Sequence, residues 1–318
     1  MAIPTRSETY ITGRLNLSAA PTDHHEVAHP PVERARPLLG TYVSIRVGGL
    51  AGKEAHRAID AGFSAVAKIH ALMSFHETAS EASKLNRDAA HSAVLVAAET
   101  YEVIRCGLEI SAASEGVFDM TVAPRLVDWG YLPRPDGAPD PDPAASWRDI
   151  ELLPHQHVRF RRPLWLDFGG IAKGFAVDYA VKAVLDMGAQ SVCVNAGGDL
   201  RIAGPLSERV LLRTAVASDS VPVLEIENGS IASSSGREHK KVQAGREVGP
   251  HVHGRERGPM GTQTFASVVT ERCVIADALT KVVMALGGDA ESVLQRFGAA
   301  AYLQDARGEW RALGEKSS

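Results

Sequence analysis

The stretch 164–200 constrains the fold more than any other part of the sequence. A short apolar run at 164–166 ends in an acid and a glycine pair, and apolar residues then recur at helical spacing through 172–187. Gly188 follows, at the position where a helix commonly ends, and a second apolar run at 192–194 leads into Asn-Ala-Gly-Gly-Asp. The pattern predicts one helix between two strands, with a glycine pair beside an acid at the end of each strand.

This pattern has two interpretations. Glycines let the backbone approach a bulky ligand, and the free amides at a helix start favour an anion, which together predict a nucleotide site. It is not a P-loop, because Lys173 follows Gly170 too closely and precedes Gly174. No Gly-x-Gly-x-x-Gly opens a helix after a strand, which argues against a Rossmann site. The other interpretation is a tight β-α-β connection whose glycines serve only turns.

Charge and composition limit the partners and the location. The 318 residues include 34 basic and 38 acidic side chains, so we expect no nucleic-acid partner and no polybasic membrane patch. No apolar stretch reaches the length of a signal peptide or a membrane span. The three cysteines lack Cys-x-x-Cys spacing. These features predict a cytoplasmic protein with reduced cysteines and no membrane span.

The order of the elements predicts an α/β fold of α+β layers, with mixed, partly antiparallel sheets and packed helices. Residues 1–35 lack periodicity and are expected to form a disordered tail. Residues 36–318 are expected to form one domain, which has two lobes if the Pro-rich loop near 133–145 separates them. The predicted helices cover 52–75, 80–86, 92–114 and 276–286, and the other predicted strands cover 42–47, 209–216, 221–227 and 264–270.

Six short motifs follow one another along this region. They are Leu-Gly-Thr at 39–41, Met-Ser-Phe-His at 73–76, Phe-Asp-x-Thr-Val-x-Pro at 118–124, Asp-x-Gly-Gly-Ile-Ala-Lys-Gly at 167–174, Asn-Ala-Gly-Gly-Asp at 195–199 and Ala-Asp-Ala-Leu at 276–279. With them the chain resembles the FAD:protein FMN transferases, the ApbE-like flavin transferases, from about Leu38 to Gly287. The third and fourth motifs are the specific ones.

The resemblance implies an ApbE-like architecture and a particular reaction. Such enzymes bind FAD, use a divalent cation such as Mg²⁺, and move the FMN half onto a Ser or Thr hydroxyl of an acceptor flavoprotein, releasing AMP. The reaction needs charge neutralisation on the bridging phosphates, a base for the hydroxyl and an in-line geometry. Two alternatives stay open: a catalytically impaired FAD-binding protein, and an FAD pyrophosphatase that yields FMN and AMP.

The resemblance also assigns roles to individual residues. Gly170, through its carbonyl, and Asp277, through its carboxylate, would ligate the metal. Catalytic roles would fall to His251, Asp277 and Lys281. The residues implied to contact FAD are Leu39, His76, Val117, Phe118, Asp119, Asp167, Lys173 and Val252.

Simpler roles for several of these residues also fit the sequence. Asp119 could cap a turn, and Lys173 could be a solvated helix residue. Asp277 could be an acid near a helix start, facing the macrodipole. Leu39 and Phe118 could belong to the core, as apolar residues usually do.

Two departures from the family pattern bear on activity. Lys281 stands where the family has a metal-ligating Thr, and Thr280 lies one position earlier, about 100° around the helix. An ammonium cannot ligate a cation, but it could neutralise the diphosphate itself or point to solvent. His251 lacks the Asp-Pro that the family places after its His, although it could still act as a general base.

Two further hypotheses concern the segments around these departures. His251 and His253 would share one face of a strand, but no third ligand accompanies them, so zinc is not expected. The Ser-rich segment 233–236 lies where the family has a small Ser/Thr-rich turn, so the resemblance implies a turn whose hydroxyls could line a phosphate site, although such turns are common in any loop.

Overall fold

A computed structural model describes residues 9–16, 30–212, 220–237, 239–243, 245–261 and 264–314. The strands, in chain order, are β1 (Thr9–Asn16), β2 (Val32–Leu38), β3 (Thr41–Gly48), β4 (Val94–Leu95), β5 (Ile150–Leu153), β6 (His157–Phe160), β7 (Ser191–Ala196), β8 (Asp199–Ala203), β9 (Ser207–Leu211), β10 (Ser220–Glu227), β11 (Ser230–Ser235), β12 (Lys241–Gln243), β13 (Arg246–Val248), β14 (Phe265–Thr270), β15 (Ala300–Gln304) and β16 (Trp310–Leu313). The α-helices are α1 (Gly52–Met73), α2 (Glu81–Asp88), α3 (Ala98–Ala113), α4 (Ala123–Asp128), α5 (Ala172–Asp186), α6 (Cys273–Leu286) and α7 (Glu291–Arg296), and short 3₁₀ turns cover Trp147–Asp149 and Gly287–Ala290.

An eight-stranded sheet organises the fold, in the order β16-β15-β14-β11-β8-β7-β3-β2. Each neighbouring pair in it is antiparallel. Smaller sheets have the orders β1-β10-β9, β12-β13 and β4-β6-β5. Strands and helices therefore combine in mixed layers, which confirms the predicted fold class.

The two faces of the central sheet bury different clusters of side chains. Val192 and Val194 of β7 belong to the larger cluster, which α1, α5 and α6 cover. Cys193, between them, belongs to a smaller cluster that includes Leu224 of β10 and Tyr302 of β15. This alternation follows from the two-residue repeat of a strand. It explains why residues 192–194 of β7 are all apolar, although the cluster on one side is small.

Helices α5 and α6 are joined by reciprocal hydrogen bonds. The Asp178 carboxylate of α5 accepts the free N–H groups of Cys273 (2.9 Å) and Val274 (3.0 Å) at the start of α6. In return, the Asp277 carboxylate of α6 accepts the Gly174 N–H of α5 at 3.0 Å. A Cβ atom at Gly174 would lie 2.3 Å from the Cys273 carbonyl oxygen. The glycine is therefore required by the close approach of the two helices.

Most of the predicted elements agree with the structure, including β3, α1, α2, α5, β7, β10 and β14. Helix α6 begins at Cys273, earlier than predicted, because the acid that caps it comes from another helix. Of the predicted strand 209–216, residues 213–216 lie outside the described residues, and β9 ends at Leu211. The 133–145 segment contains no helix or strand, as expected of a loop.

Three local predictions were wrong. The apolar run 164–166 is not a strand, because Leu166 hydrogen-bonds to a side chain instead of to a neighbouring strand. Its N–H donates to the Asn86 side-chain oxygen at 2.7 Å, and its carbonyl oxygen accepts the Asn86 side-chain N–H at 3.1 Å. The predicted helix 92–114 begins only at Ala98, since β4 precedes it and pairs with β6. The Ser-rich segment 233–236 is mostly strand β11, where Ser235 opposes Phe265 of β14.

The segment predicted to be a disordered tail contains a strand. Residues of β1 pair in parallel with β10, with Thr9 opposite Ser220, and β2 begins at Val32. The division into a tail and a single domain stays a prediction. None of the helices in the described residues is both long and apolar enough to cross a bilayer.

We predict that Gly174→Ala destabilises the protein by about 1–3 kcal/mol, the usual cost of overpacking a buried contact. In an ordinary helix the same change would stabilise, because alanine is the better helix former. Urea unfolding followed by circular dichroism measures the difference. Gly258→Ala is the control, since a Cβ atom there would meet nothing within 4 Å. Equal or greater stability of Gly174→Ala would contradict the close helix contact.

Candidate active site

A cavity of about 450 Å³ lies beside the start of α5. Its walls come from the β2–β3 turn, the segment after α1, residues 117–122, the glycine pair with α5, residues 250–252, and α6. Eleven of the sequence-predicted site residues line it: Leu39, His76, Val117, Phe118, Asp119, Asp167, Gly170, Lys173, His251, Val252 and Lys281. The twelfth, Asp277, is buried behind Lys281.

The glycine pair closes one wall of the cavity against two side chains. The Asp167 carboxylate accepts the Gly169 N–H at 3.1 Å, and a Cβ atom at Gly169 would lie 2.9 Å from the other carboxylate oxygen. A Cβ atom at Gly170 would lie 3.3 Å from the Phe118 ring. Burial raises the pKa of Asp167, and the Gly169 hydrogen bond opposes that shift. The glycines serve packing, which brings Asp167 and Phe118 to the same wall.

Two lysines and two aspartates lie at the junction of α5, α6 and β8. Lys173 pairs with Asp199 at 2.9 Å, and Lys281 pairs with Asp277 one helical turn earlier. Both carboxylates are almost fully buried, at 1% and 2% exposure, whereas both ammonium groups belong to residues that line the cavity. Burial, followed by the neighbouring charge of Asp277, raises the pKa of Asp199 to about 6. The cavity therefore faces the positive members of a charge-balanced cluster, and Lys173 is not the freely solvated lysine of the simpler interpretation.

The Asp119 carboxylate, which lines the cavity, has several partners within the protein. Its carboxylate accepts hydrogen bonds from the Thr121 N–H and hydroxyl, both at 2.8 Å, and pairs with Arg257 at 2.8 Å. Arg257 also donates to the carbonyl oxygens of Thr121 and Ala145. Burial raises the pKa of Asp119, and Arg257 opposes that shift. Asp119 thus caps a turn, as the simpler interpretation held, and also holds the 251–259 loop against the cavity.

The 251–259 loop carries His251 into the cavity. The loop turns back on itself, with Val252 bridged to Pro259 and the Met260 N–H donating to the His251 carbonyl at 3.1 Å. Gly254 packs so closely on this wall that a Cβ atom would lie 2.4 Å from the Gly116 carbonyl oxygen. Burial, followed by the positive charge of Lys281, lowers the pKa of His251 to about 4. His251 is therefore a neutral imidazole at physiological pH.

His253 does not join His251 in a metal pair. Its Nδ1 accepts the Glu256 N–H at 3.2 Å inside the turn. Across the described part of the chain, no group of three or more His, Cys, Asp or Glu side chains is placed to hold a metal. The expectation that zinc is absent stays a prediction.

Sequence reasoning missed four residues that shape this region. Asp199 was visible as the acid beside the second glycine pair, but its ion pair with Lys173 was not predicted. Arg257 lies in a loop without periodicity, and no local signal connects it to Asp119. The same holds for Asp178, which caps a helix nearly 100 residues away. Tyr131, which lines the cavity, donates its hydroxyl to the carbonyl oxygen of His239 at 2.6 Å.

Comparison with known proteins agrees with this architecture. The model of the ApbE family matches residues 39–303. The chain belongs to the ApbE family. An FAD:protein FMN transferase of Vibrio cholerae is 25% identical over 235 residues, covering 69% of this chain and 70% of that protein. The Haemophilus influenzae FAD:protein FMN transferase is 24% identical over 257 residues, which are 74% of each chain.

Solved structures show that the ApbE-like fold is shared. The ApbE protein of Thermotoga maritima superposes with a TM-score of 0.77 at 23% identity, covering 89% of this chain and 96% of that one. The flavin transferase ApbE of Vibrio cholerae gives 0.73 at 20% identity, over 89% and 96%. At this level of identity the superpositions establish the fold of this family member, which agrees with the predicted architecture.

We predict that Arg257→Met lowers the free energy of unfolding by about 3 kcal/mol, because it leaves the buried Asp119 carboxylate without its counter-charge. Arg255→Met is the matched control in the same loop. Its ion pair with Glu115, at 3.5 Å, is exposed on both sides, so a change below about 0.5 kcal/mol is expected. Urea denaturation measures both variants. If the two losses were equal, Asp119 would not anchor the loop.

Proposed function

We propose that this chain transfers the FMN portion of FAD onto a Ser or Thr hydroxyl of an acceptor protein, with release of AMP. The observation that carries the proposal is the gathering of Asp167, Lys173, His251 and Lys281, from three distant parts of the sequence, around one cavity. Family membership and the names of the curated relatives support it.

The cavity offers suitable chemistry for the two ends of such a ligand. Phe118, Val117 and Val252 give it apolar walls, and its volume falls within the range of small-molecule sites. Lys173 and Lys281 supply positive charge where the backbone of the glycine pair comes close. In the proposed complex the diphosphate lies against these lysines and the isoalloxazine ring lies against the apolar wall.

The proposed transfer is a substitution at the phosphorus atom of the FMN half. The acceptor hydroxyl oxygen forms a bond to this phosphorus, and the bond from phosphorus to the bridging oxygen breaks, so that AMP leaves with the electron pair. The hydroxyl proton passes to a base. His251 is suited to this role, because a neutral imidazole has a free nitrogen lone pair. Lys173 and Lys281 offset the negative charge that builds up on the phosphate oxygens.

The residues present do not fit a divalent cation at the position that the resemblance implies. Both oxygens of Asp277 already accept hydrogen bonds, one from Lys281 and one from the Gly174 N–H. The adjacent Thr280 hydroxyl bonds to the Asp277 carbonyl and the Ser234 hydroxyl, both at 2.7 Å, inside the protein. The proposed reaction is therefore written without a metal, and the assignment of Mg²⁺ to Gly170 and Asp277 stays a prediction.

The test is incubation of the purified protein with FAD and an acceptor flavoprotein domain. We expect covalent, fluorescent acceptor together with an equal amount of AMP. Free AMP without labelling would show instead that water replaces the acceptor hydroxyl, as in a pyrophosphatase. Tight FAD binding without either product would indicate a binding protein that has lost transfer.

We predict that His251→Gln lowers turnover by about 10²–10⁴-fold, the usual contribution of a general base. Carbon-13 NMR of labelled histidine provides an independent measurement, with the His251 signal identified by its loss in the variant. This signal should titrate near pH 4 and not near the ordinary 6.5.

The same depressed pKa has a consequence for stability. Between pH 6.5 and about 4 the unfolded chain binds a proton that folded His251 does not, so stability falls as the pH falls through this window. His251→Gln should show a shallower loss of stability there than the wild type. Titration near pH 6.5, or unchanged turnover in the variant, would remove His251 from the proposed role.

A further inference from the structure

We propose that the ammonium group of Lys281 takes the place of a bound metal ion in this chain, so that the diphosphate of the ligand is neutralised by a side chain. The inference rests on the proposed function for the identity of the ligand. The exclusion of a metal ion depends only on how Lys281 and Asp277 are arranged.

Asp277, one of the two residues that the resemblance assigns to a metal, bonds to Lys281, and Gly170, the other, lies near the lysine side chain. Its Nζ donates to the carboxylate and, at 3.0 Å, to the carbonyl oxygen of Asp277. A Cβ atom at Gly170 would lie only 3.7 Å from its Cε atom. Lys281 lines the cavity and Asp277 does not, so the lysine stands between the carboxylate and the ligand space. A cation approaching from the cavity would meet the ammonium before the acid.

The charge on this part of the site also disfavours a metal. Lys173 and Lys281 balance Asp199 and Asp277, which leaves no excess negative charge to attract a divalent ion. An ammonium has no lone pair to donate to a metal, and it repels one at short range. An anion has the opposite preference, because each lysine can donate to phosphate oxygens while its own carboxylate remains behind it.

The neighbouring hydroxyl does not compensate for the lysine. Thr280 faces β11, where its hydroxyl bonds to Ser234, and its side chain is fully buried. Thr280 precedes Lys281 by one residue, which is about 100° of rotation around the helix. Its side chain therefore faces the sheet, whereas that of Lys281 faces the cavity. Among the residues of α6, all of which the structure describes, Lys281 alone lines the cavity.

The decisive measurement is binding of Mn²⁺ alone, followed by electron paramagnetic resonance in metal-free buffer. We expect no stoichiometric binding to the wild type at micromolar concentrations. Lys281→Thr removes the ammonium and adds an oxygen ligand beside Asp277, so it should bind one Mn²⁺ at least about tenfold more tightly than the wild type. Tight binding of one Mn²⁺ to the wild type would overturn the inference without bearing on flavin transfer.

Binding of FAD and of ADP, measured by calorimetry with EDTA or with Mg²⁺, tests the role of the charge. Wild-type affinities should agree within about twofold between the two conditions, whereas Lys281→Met should lose about tenfold or more in EDTA. Lys281→Thr should recover affinity when Mg²⁺ is added. A tenfold rise in the wild-type affinity for FAD or ADP on addition of Mg²⁺ would contradict the proposal. This comparison uses the wild type alone, so it does not depend on the folding of a variant.

Lys182→Met is the matched control. Lys182 and Asp186 form an i,i+4 ion pair on α5, in the reverse order along the helix, and both side chains are exposed. Its nucleotide affinity and its Mn²⁺ binding should equal those of the wild type. If neither FAD nor ADP binds while Mn²⁺ is excluded by the wild type and accepted by Lys281→Thr, the displacement of the metal stands and the proposed function fails.

Discussion

The contact between α5 and α6 is the interaction on which the site depends. Gly174 allows the two helices to touch backbone to backbone, and each helix supplies a carboxylate that accepts N–H groups of the other. Asp178 satisfies amides at the start of α6 that have no partner within the helix. Asp277, held in place by the Gly174 N–H, in turn fixes Lys281 one turn later. A short distance between two helices thus sets the position of a charge in the cavity.

The cavity combines neutral and charged groups in separate places. His251 is kept neutral by burial and by the nearby Lys281, while Lys173 and Lys281 each pair with a buried aspartate. A phosphoryl substitution that proceeds without a metal needs a deprotonated base. It also needs positively charged side chains. The proposed reaction would meet its electrostatic demands with these side chains.

Elements with a clear local pattern could be predicted from the sequence, and long-range partners could not. The spacing of apolar residues located α1, α5 and α6, and eleven of the twelve predicted site residues line the cavity. The sequence failed where a distant group decided the local structure. The extended segment at 164–166 bonds to Asn86, which no periodicity reveals, and the ion pair of Asp119 with Arg257 joins residues 138 positions apart without a recognisable motif. The small strands β15 and β16, in a short C-terminal meander, carry too weak an alternation to be seen.

The strand order of the central sheet has a consequence for how the protein folds. Val43 of β3 pairs with Ala196 of β7, and Leu200 of β8 pairs with Ile231 of β11, so neighbours in the sheet come from distant parts of the chain. Closing such long loops costs entropy before any pairing energy is gained, which makes folding slow. On the ribosome, a nascent chain that has exposed β3 must wait for α6 before Leu39 and Lys281 can line the same cavity. The cavity is therefore completed only after the residues up to Lys281 have been synthesised.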